Sequence, residues 1–351
     1  MNAPASSLVA EAVEIDLGDD RAAAAYDALV ASLPGATPFH RAAWGRAVAA
    51  ALGHRPRYLR CGDKGVLPLI ELKSRLFGNA MISNAFAVRG GPLAVDAATD
   101  AALDASAWSL TRAAGVDVLE YRGGARRNDW PAKADTYANF ARPLSSDREE
   151  NLKAIPRKQR AEVRRAETLG LDVKVASDAG ALADHFHVYA TSVRNLGTPV
   201  FPARLFSELL RHYGPDADIL TVYKDGVPVA SVLSLYDEDT VYPYYGGGTE
   251  AARALRANEH MYWSLMEHAV MRGCRRFDFG RSKVGTGAYA YKKNWGFEPE
   301  PLVYQYRLAD GATMPDVNPN NPKYRLMTDV WSRLPLWLAN RIGPMVARSL
   351  G

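Results

Sequence analysis

Apolar residues along this chain fall into two periods, and the order in which helical and strand spacing alternate runs through twice. Residues 19–32 (DDRAAAAYDALVAS) and 41–53 (RAAWGRAVAAALG) carry apolar positions at helical spacing, the first behind acidic residues that suit a helix start. Residues 57–72 (RYLRCGDKGVLPLIEL) alternate at a period of two around Asp63, Lys64 and Gly65, which predicts a hairpin. Extended structure follows as far as Gly90 and Gly91. A helix over 97–114 then leads through Gly115 into the strand VDVLEY.

The second half repeats this order. A helix is predicted over 201–214, then a hairpin over 218–236 with a primed turn at Asp225 and Gly226. The extended stretch TVYPYYGGG ends at Gly246–Gly248, and a helix over 256–272 leads through Gly273 into RRFDFG. Glu120 follows Gly115 by five residues, and Asp278 follows Gly273 by the same interval. The halves therefore read as a duplication.

Between them, residues 145–170 read as helical, with Ser146 as N-cap, Glu149 in the capping-box position and Pro156 as a break or second start. Within Asn151–Arg165, six cations (Lys153, Arg157, Lys158, Arg160, Arg164, Arg165) face Glu162 as the one acid. A continuous helix aligns Lys153, Arg157, Arg160 and Arg164 on one face, suited to phosphates of a nucleotide-linked substrate or of RNA, or else to plain solvation. After the second half, 299–308 closes as a strand, a polar loop covers 310–322, and 323–351 reads as a helical tail. That tail is broken by Pro335 and Pro344 and holds two tryptophans, and its cations outnumber Asp329. It reads either as a peripheral membrane contact or as a helical pair packed on the body. The domain boundaries drawn on this basis are 1–145, 146–310 and 311–351.

Composition narrows the class. With 351 residues, 48% apolar and 23% charged, the chain reads as a globular protein of about two domains. A net charge of +4 does not by itself imply a nucleic-acid partner. Cys61 and Cys274 stand far apart without zinc spacing, and His185 and His187 diverge on a helix, so no metal site is expected. The N-terminus lacks the charged region and long apolar core of a signal peptide, and no apolar run reaches the ~18 residues of a membrane span. The expected location is the cytoplasm.

The densest candidate chemistry lies at 277–301, FDFGRSKVGTGAYAYKKNWGFEPEP. Gly280 and Gly285 have Walker spacing, but Thr286 stands where that motif requires lysine. Gly285, Gly287 and Ala290 match G-x-G-x-x-A without the long helix and distant acid of a dinucleotide fold. The coenzyme A loop of GNAT-type N-acetyltransferases, [QR]-x-x-G-x-[GA], is missed by one place, since Ser282 and not Arg281 stands three residues before Gly285. Gly285 and Gly287 remain the candidate backbone cradle for a donor's phosphates.

Taken as strand-Asp-x-Gly followed by Tyr-Lys-x-x-(aromatic)-Gly, this segment resembles the FemABX superfamily, bacterial transferases built from two GNAT-like units. IPRKQRAEVRRAETLGL (155–171) resembles that family's basic helix. VYATSVRNLGTPVFPARLF (188–206) resembles its acceptor segment, and VYPYYGGG (241–248) its tyrosine-rich strand. Within the superfamily the chain is most similar to the branch associated with exosortase and PEP-CTERM exopolysaccharide loci.

The resemblance implies an α/β (α+β) fold of tandem duplicated GNAT-like domains, with mixed, largely antiparallel sheets flanked by helices. It implies transfer of an acyl or aminoacyl group onto an amine of a cell-envelope precursor, a small-molecule or lipid-linked glycan of peptidoglycan or exopolysaccharide synthesis. The donor, aminoacyl-tRNA or acyl-CoA, is then a co-substrate, with no tightly bound cofactor. Carried over by position, Lys292 meets the donor end, and Tyr291 replaces the family's phenylalanine. Arg194 and Tyr245 contact phosphate or sugar of the acceptor. The long coiled-coil insertion that some members use for tRNA is absent.

These roles have a chemical basis. Acyl transfer passes through a tetrahedral oxyanion, which a positioned cation such as Lys292 stabilises. Asp278, like Glu120 in the first half, is a candidate general base, or else holds a loop through backbone amides. Tyr242 and Tyr244 join Tyr245 as candidates to line a sugar pocket, or else pack in alternation along the strand. Arg281, Arg157, Arg160 and Arg164 complete the substrate-binding candidates. Two rival readings stand beside this one: a plain acyl-CoA-dependent N-acetyltransferase, and a non-catalytic glycan- or RNA-binding module.

Overall fold

The computed structural model describes residues 11–74, 78–315 and 322–350, with side chains in the penultimate helix described from Thr328 onward. Residues 316–321 of the polar loop expected over 310–322 lie outside the described residues. Contacts divide the chain into two units. One comprises the residues up to Lys133 together with Val303–Pro315, the other Ala134–Leu302 together with the C-terminal helices.

The first unit begins with β1 (Ala12–Glu14), α1 (Asp20–Ser32), α2 (Ala42–Leu52) and β2 (Arg55–Pro56). Short strands follow: β3 (Leu59–Cys61), β4 (Gly65–Leu67), β5 (Ile70–Leu72), β6 (Ala80–Ser83) and β7 (Leu93–Ala94). Helix α3 (Ala97–Ala113) and strand β8 (Val118–Arg122) complete its N-terminal part. Asp19 and Asp96 cap α1 and α3 by accepting from the Arg21 and Thr99 amides, each at 2.8 Å.

The second unit contains β9 (Ala132–Pro143), α4 (Arg148–Ala154), α5 (Arg157–Glu167), β10 (Asp172–Ala176), α6 (Ala179–Asn195) and α7 (Ala203–Tyr213). Strands β11 (Ala217–Lys224), β12 (Val227–Asp237) and β13 (Thr240–Gly248) come next, then α8 (Glu250–Ala254) and α9 (Ala257–Met271). The chain continues through β14 (Arg276–Lys283), α10 (Gly287–Asn294) and β15 (Pro299–Leu308) to the tail helices α11 (Pro322–Arg333) and α12 (Leu336–Ala347).

In the first unit, one sheet runs β1-β3-β4-β7, and β2, β5, β6 and β8 pair in that order beside the end of β15. The hairpin expected over 57–72 is thus split. β3 and β4 pair as anticipated, but β5 turns away to pair with β2 and β6. Pro68 stands between β4 and β5, and a proline has no N–H to carry a ladder onward.

In the second unit the order is β10-β11-β12-β13-β14-β9, antiparallel throughout except for β13 and β14. The β11–β12 turn has positive φ at both Asp225 and Gly226, as the predicted primed turn requires. Trp263 of α9, Phe277 and Phe279 of β14, and Trp295 and Phe297 after α10 pack into one core with Leu220 of β11 and Val232 of β12. The parallel pair is thereby fixed from one face.

Three sequence expectations need correction. The boundary placed at 145 falls instead at 133, because β9 pairs with β14. The boundary at 310 fails similarly, since Tyr304–Leu308 pair with β8 and belong to the first unit. The basic segment is two helices with the second start at Pro156 as expected, so the continuous-helix face and the Ser146 cap are what fail. Asp147, not Ser146, caps α4, and the chain breaks at Ile155–Pro156, so Lys153 does not share a helix with Arg157.

The tail is also partly unlike its expectation. Pro335 does separate α11 from α12, but Pro344 lies inside α12, where only the last turn remains to be hydrogen-bonded. Arg194 at the end of α6 donates to the Ser332 carbonyl at 3.2 Å, which ties α11 down. A Cβ on Gly343 would lie 3.0 Å from the Val200 side chain and backbone, so α12 packs on the chain that follows α6.

Candidate active site at the end of a parallel strand pair

Strands β13 and β14 are in register over only two pairs, Thr240 with Arg276 and Val241 with Phe277. Both strands then continue, held on their outer edges by β12 and β9 respectively. A ladder that stops while its strands run on leaves backbone donors and acceptors on the facing edges. In open α/β sheets ligands bind beyond the carboxyl ends of such strands, where the topology switches.

Two irregularities shape these edges. On β13 the register shifts so that Leu233 faces Tyr245 while Ser234 faces Pro243, which makes Tyr244 the extra residue of a bulge. On β14 the register shifts between Asp278 and Arg281. Asp278, 8% exposed, closes that bulge: its Oδ1 accepts from the Gly280 amide at 2.9 Å and its Oδ2 from Asn139 Nδ2 at 3.1 Å. Gly280 takes φ +69°, a conformation that favours glycine. With both oxygens so engaged, the carboxylate has the loop-holding role. Its counterpart Glu120 is likewise committed, paired with Arg122 at 2.7 Å.

Lys292 is 9% exposed, and its Nζ donates to the carbonyls of Gly280 and Arg281, both at 2.9 Å. The same nitrogen lies 5.3 Å from the Phe279 ring centroid and 5.6 Å from that of Phe140. Burial lowers its pKa to about 7; the Asp278 charge opposes this and the Arg281 charge reinforces it. A neutral amine has two N–H bonds and one lone pair, so the two carbonyls use both donors and leave the lone pair. Protonation supplies a third donor. Lys292 thus changes its hydrogen-bonding capacity close to neutral pH.

Arg281 and Tyr245 complete the cluster. The guanidinium lies over the Tyr137 ring at 4.9 Å and acts electrostatically on both Lys292 and the Tyr245 phenol. The Tyr245 ring is enclosed by Tyr189, Phe201, Phe206 and Tyr244 at centroid distances of 4.8–5.8 Å. Burial raises its phenol pKa, with Tyr244 and Tyr189 adding to the rise. Tyr245 Oη, Ser282 Oγ and Asn139 Oδ1 are buried with no hydrogen-bond partner among the described residues. Such groups call for a polar ligand or bridging water.

The remaining candidates divide. Tyr291 is directed into the core, its ring near Tyr262 and Trp295, and burial raises its phenol pKa. Its contacts support packing and not catalysis. Tyr242 lies half-buried on β13 opposite Leu235. Arg194 is engaged with α11 through the Ser332 carbonyl. Arg160 donates to the Ile155 and Lys153 carbonyls and so closes the end of α4, whereas Arg157 and Arg164 are exposed. The α4–α5 corner abuts the end of α10, because a Cβ on Gly296 would lie 2.9 Å from Pro156 and 3.0 Å from the Ala154 carbonyl. Arg142 braces the same corner by donating to Trp295 O at 3.1 Å and Ala154 O at 3.3 Å, with its pKa lowered to about 10 by burial.

The glycines differ in their surroundings. Gly285 and Gly287 sit in the β14–α10 turn, where an added Cβ meets nothing within 4 Å. Gly246, Gly247 and Gly248 are different: a Cβ on each would press on Val232, Ser192, or Ala252 and Asn258 respectively. These three stand at the carboxyl end of parallel strand β13, where the strand feeds a helix. The sequence carried a signal for this, a tyrosine-rich strand ending in GGG before a Thr-Glu helix start, but it does not show which strand is parallel.

The lysine and carboxylate are electrostatically coupled, which yields a direct expectation. Asp278→Asn removes the charge that holds the Lys292 pKa up, so any inflection in a pH–rate profile assigned to Lys292 moves to lower pH. An unmoved inflection would separate the two residues.

Comparisons with known proteins agree with this geometry. The acetyltransferase (GNAT) domain model matches residues 156–293, which include Tyr245, Asp278, Arg281 and Lys292. Lipid II:glycine glycyltransferase of Staphylococcus aureus is 24% identical over 119 residues, 32% of this chain and 26% of that enzyme. The match thus spans about a quarter of the curated relative. Among solved structures, FemX superposes with a TM-score of 0.67 at 16% identity, covering 91% of this chain and 100% of that one. L-PGS from Bacillus licheniformis gives 0.56 at 13% identity, covering 89% and 97%, and a tandem GNAT protein of the clavulanic acid pathway gives 0.52 at 15%, covering 87% and 99%. At these identities the structures establish the shared fold, that of tandem GNAT-fold proteins. With the GNAT domain match across its candidate site and this two-unit fold, the chain is similar in part of its sequence to lipid II:glycine glycyltransferase and shares the tandem GNAT fold.

Proposed function

We propose that the protein transfers an aminoacyl or other acyl group onto an amine of a cell-envelope precursor, working in the cytoplasm on a peptidoglycan or exopolysaccharide intermediate. The observation that carries this reading is the convergence of Lys292, Asp278, Arg281 and Tyr245 at the point where the β13–β14 ladder ends. The sequence likeness to an enzyme named for glycyl transfer to lipid II supports a lipid-linked acceptor.

In the proposed reaction the acceptor amine attacks the donor's ester or thioester carbonyl. A C–N bond forms, the C–O or C–S bond breaks, and the leaving oxygen or sulfur departs with a proton. The unpaired edges of β13 and β14 offer backbone N–H groups to the oxyanion. Gly285 and Gly287, with open space at their Cβ positions, leave room for the donor's phosphates at the β14–α10 turn. Lys292 titrates near neutrality, so it exchanges a proton with the attacking amine or the leaving group. Arg281 and Tyr245 orient the acceptor. Of the two donor classes, aminoacyl-tRNA fits the basic α4–α5 corner, with exposed Arg157 and Lys158 beside the end of α10.

The test supplies purified protein with radiolabelled aminoacyl-tRNA or acyl-CoA and a lipid-linked glycopeptide acceptor. Transfer from aminoacyl-tRNA is expected. Transfer from acyl-CoA alone would replace the donor assignment with that of an ordinary GNAT enzyme. Binding of sugar nucleotides with no transfer from either donor would overturn the catalytic reading.

A further inference from the structure

The C-terminal helix α12 has two unlike faces. At about 100° per residue, Ala339, Gly343 and Ala347 form one stripe, and all three are buried. These small side chains let the helix backbone approach the chain at Val200 closely. The opposite face carries Trp337, Arg341, Met345 and Arg348, all exposed. Trp337 is 68% exposed and Met345 69%. The helix is not loosely placed, since the neighbouring α11 is bonded to Arg194 through Ser332 and Gly343 fits against Val200. A tryptophan and a methionine held in water on a docked helix are therefore a fixed feature of the surface.

The charge on this part of the tail is mostly of one sign, with Asp329 of α11 as the one acid from Thr328 onward. From Val330 to the C-terminus the sequence contains Arg333, Arg341 and Arg348 and no aspartate or glutamate. Val330, 54% exposed, adds an apolar group beside Arg333. No helix among the described residues is long and apolar enough to cross a membrane. Large apolar side chains alternating with arginines, on a helix lying flat against its protein, match the composition of an interfacial element. Tryptophan ring and methionine enter the headgroup boundary while the arginines meet lipid phosphates.

We infer that this outward face of α12, with the end of α11, docks the protein on an anionic lipid bilayer. The inference rests on the packed position of α12 and on its charge, and not on the transfer reaction, so either can fail alone. It sharpens the two readings of the tail: the inner face packs on the body and the outer face meets the membrane.

The test is co-sedimentation of the full chain with vesicles of phosphatidylglycerol and phosphatidylcholine, against vesicles of phosphatidylcholine alone. Binding to the anionic vesicles is expected, weakening as salt rises. Trp337→Asp combined with Met345→Asp should lower binding at least about tenfold, and Arg341→Glu about fivefold or more. These exposed positions leave the fold intact, which an unchanged melting temperature checks. Quenching of wild-type tryptophan fluorescence by brominated lipid, diminished in Trp337→Phe, gives a second readout that does not depend on a disruptive variant. Equal binding to neutral vesicles, no binding to either, or undiminished binding of the Asp variants would overturn the inference. So would a dimer that forms without lipid and is lost in Trp337→Asp, which would make a second copy the occupant.

Discussion

Between pH 7.5 and 4.5 the unfolding free energy should fall by about 5 kcal/mol, roughly half of it from each of two buried histidines. His40 in the first unit is held between Thr37 and the Gly91 carbonyl, and burial lowers its pKa to about 4. His185 on α6 meets Ser231 through Nδ1 at 2.9 Å, its Nε2 has no partner among the described residues, and burial lowers its pKa to about 3. In the unfolded chain both titrate near 6.5. Below that pH the unfolded state binds protons that the folded state refuses, so stability drops as pH falls; above it both states are neutral and the effect vanishes. A loss of this size is a large part of the 5–15 kcal/mol typical of a folded domain. Urea titrations at pH 7.5, 6.0 and 4.5 measure it. His185→Asn keeps a polar group toward Ser231 but cannot protonate, and it should remove about half of the pH dependence. An undiminished slope in that variant would assign acid sensitivity to other groups.

Replacing Lys292 should have the largest effect on activity. Lys292→Met preserves the stem between Phe140 and Phe279 but removes the donors to Gly280 and Arg281 and the titrating nitrogen. Losing one positioned electrostatic or proton-transferring group reduces turnover by about 10²–10³-fold. Lys292→Arg keeps the charge but not a pKa near 7, so it should not restore the neutral-pH inflection. Stability supplies an independent signature. The folded pKa, about 7, lies below the unfolded value of 10.5, so stability rises with pH between these values as the folded state sheds its proton first. The urea midpoint of the wild type should climb across pH 7–9 relative to that of Lys292→Met. Unchanged turnover in Lys292→Met would remove the residue from the reaction even if the stability signature held.

Local chemistry made much of this architecture legible in the sequence. Asp225-Gly226 specified its turn, Pro156 broke the basic segment, and residues 299–308 read as the strand they form. What depended on non-local pairing was hidden. Strand β9 has no simple alternation of apolar residues, and its role comes from pairing with β14, more than a hundred residues later in the chain. Neighbours distant in sequence also explain three glycines: Val232, Ser192, Ala252 and Asn258 close over Gly246–Gly248, which no spacing rule shows. A motif that binds residues close in sequence was enough to bring Asp278 and Lys292 to one bulge, with Lys292 on the Gly280 and Arg281 carbonyls and Asp278 on the Gly280 amide. Tyr291 packs beside Tyr262 and Trp295 instead, because adjacent helical positions point about 100° apart and only Lys292 of the pair reaches the bulge.

The return of the end of β15 to the first unit bears on how the chain is made. Gln305 accepts from the Arg127 amide and donates to the Ala125 carbonyl across 178 and 180 residues, and the end of β15 pairs with β8. The N-terminal unit therefore stays incomplete on the ribosome until nearly the whole protein has emerged. During that interval the edge of β8 is an open template for wrong partners. A fragment beginning at residue 146 would lack β9, the strand that holds β14 in place, whereas one beginning at residue 134 keeps the residues of β9 that pair with β14.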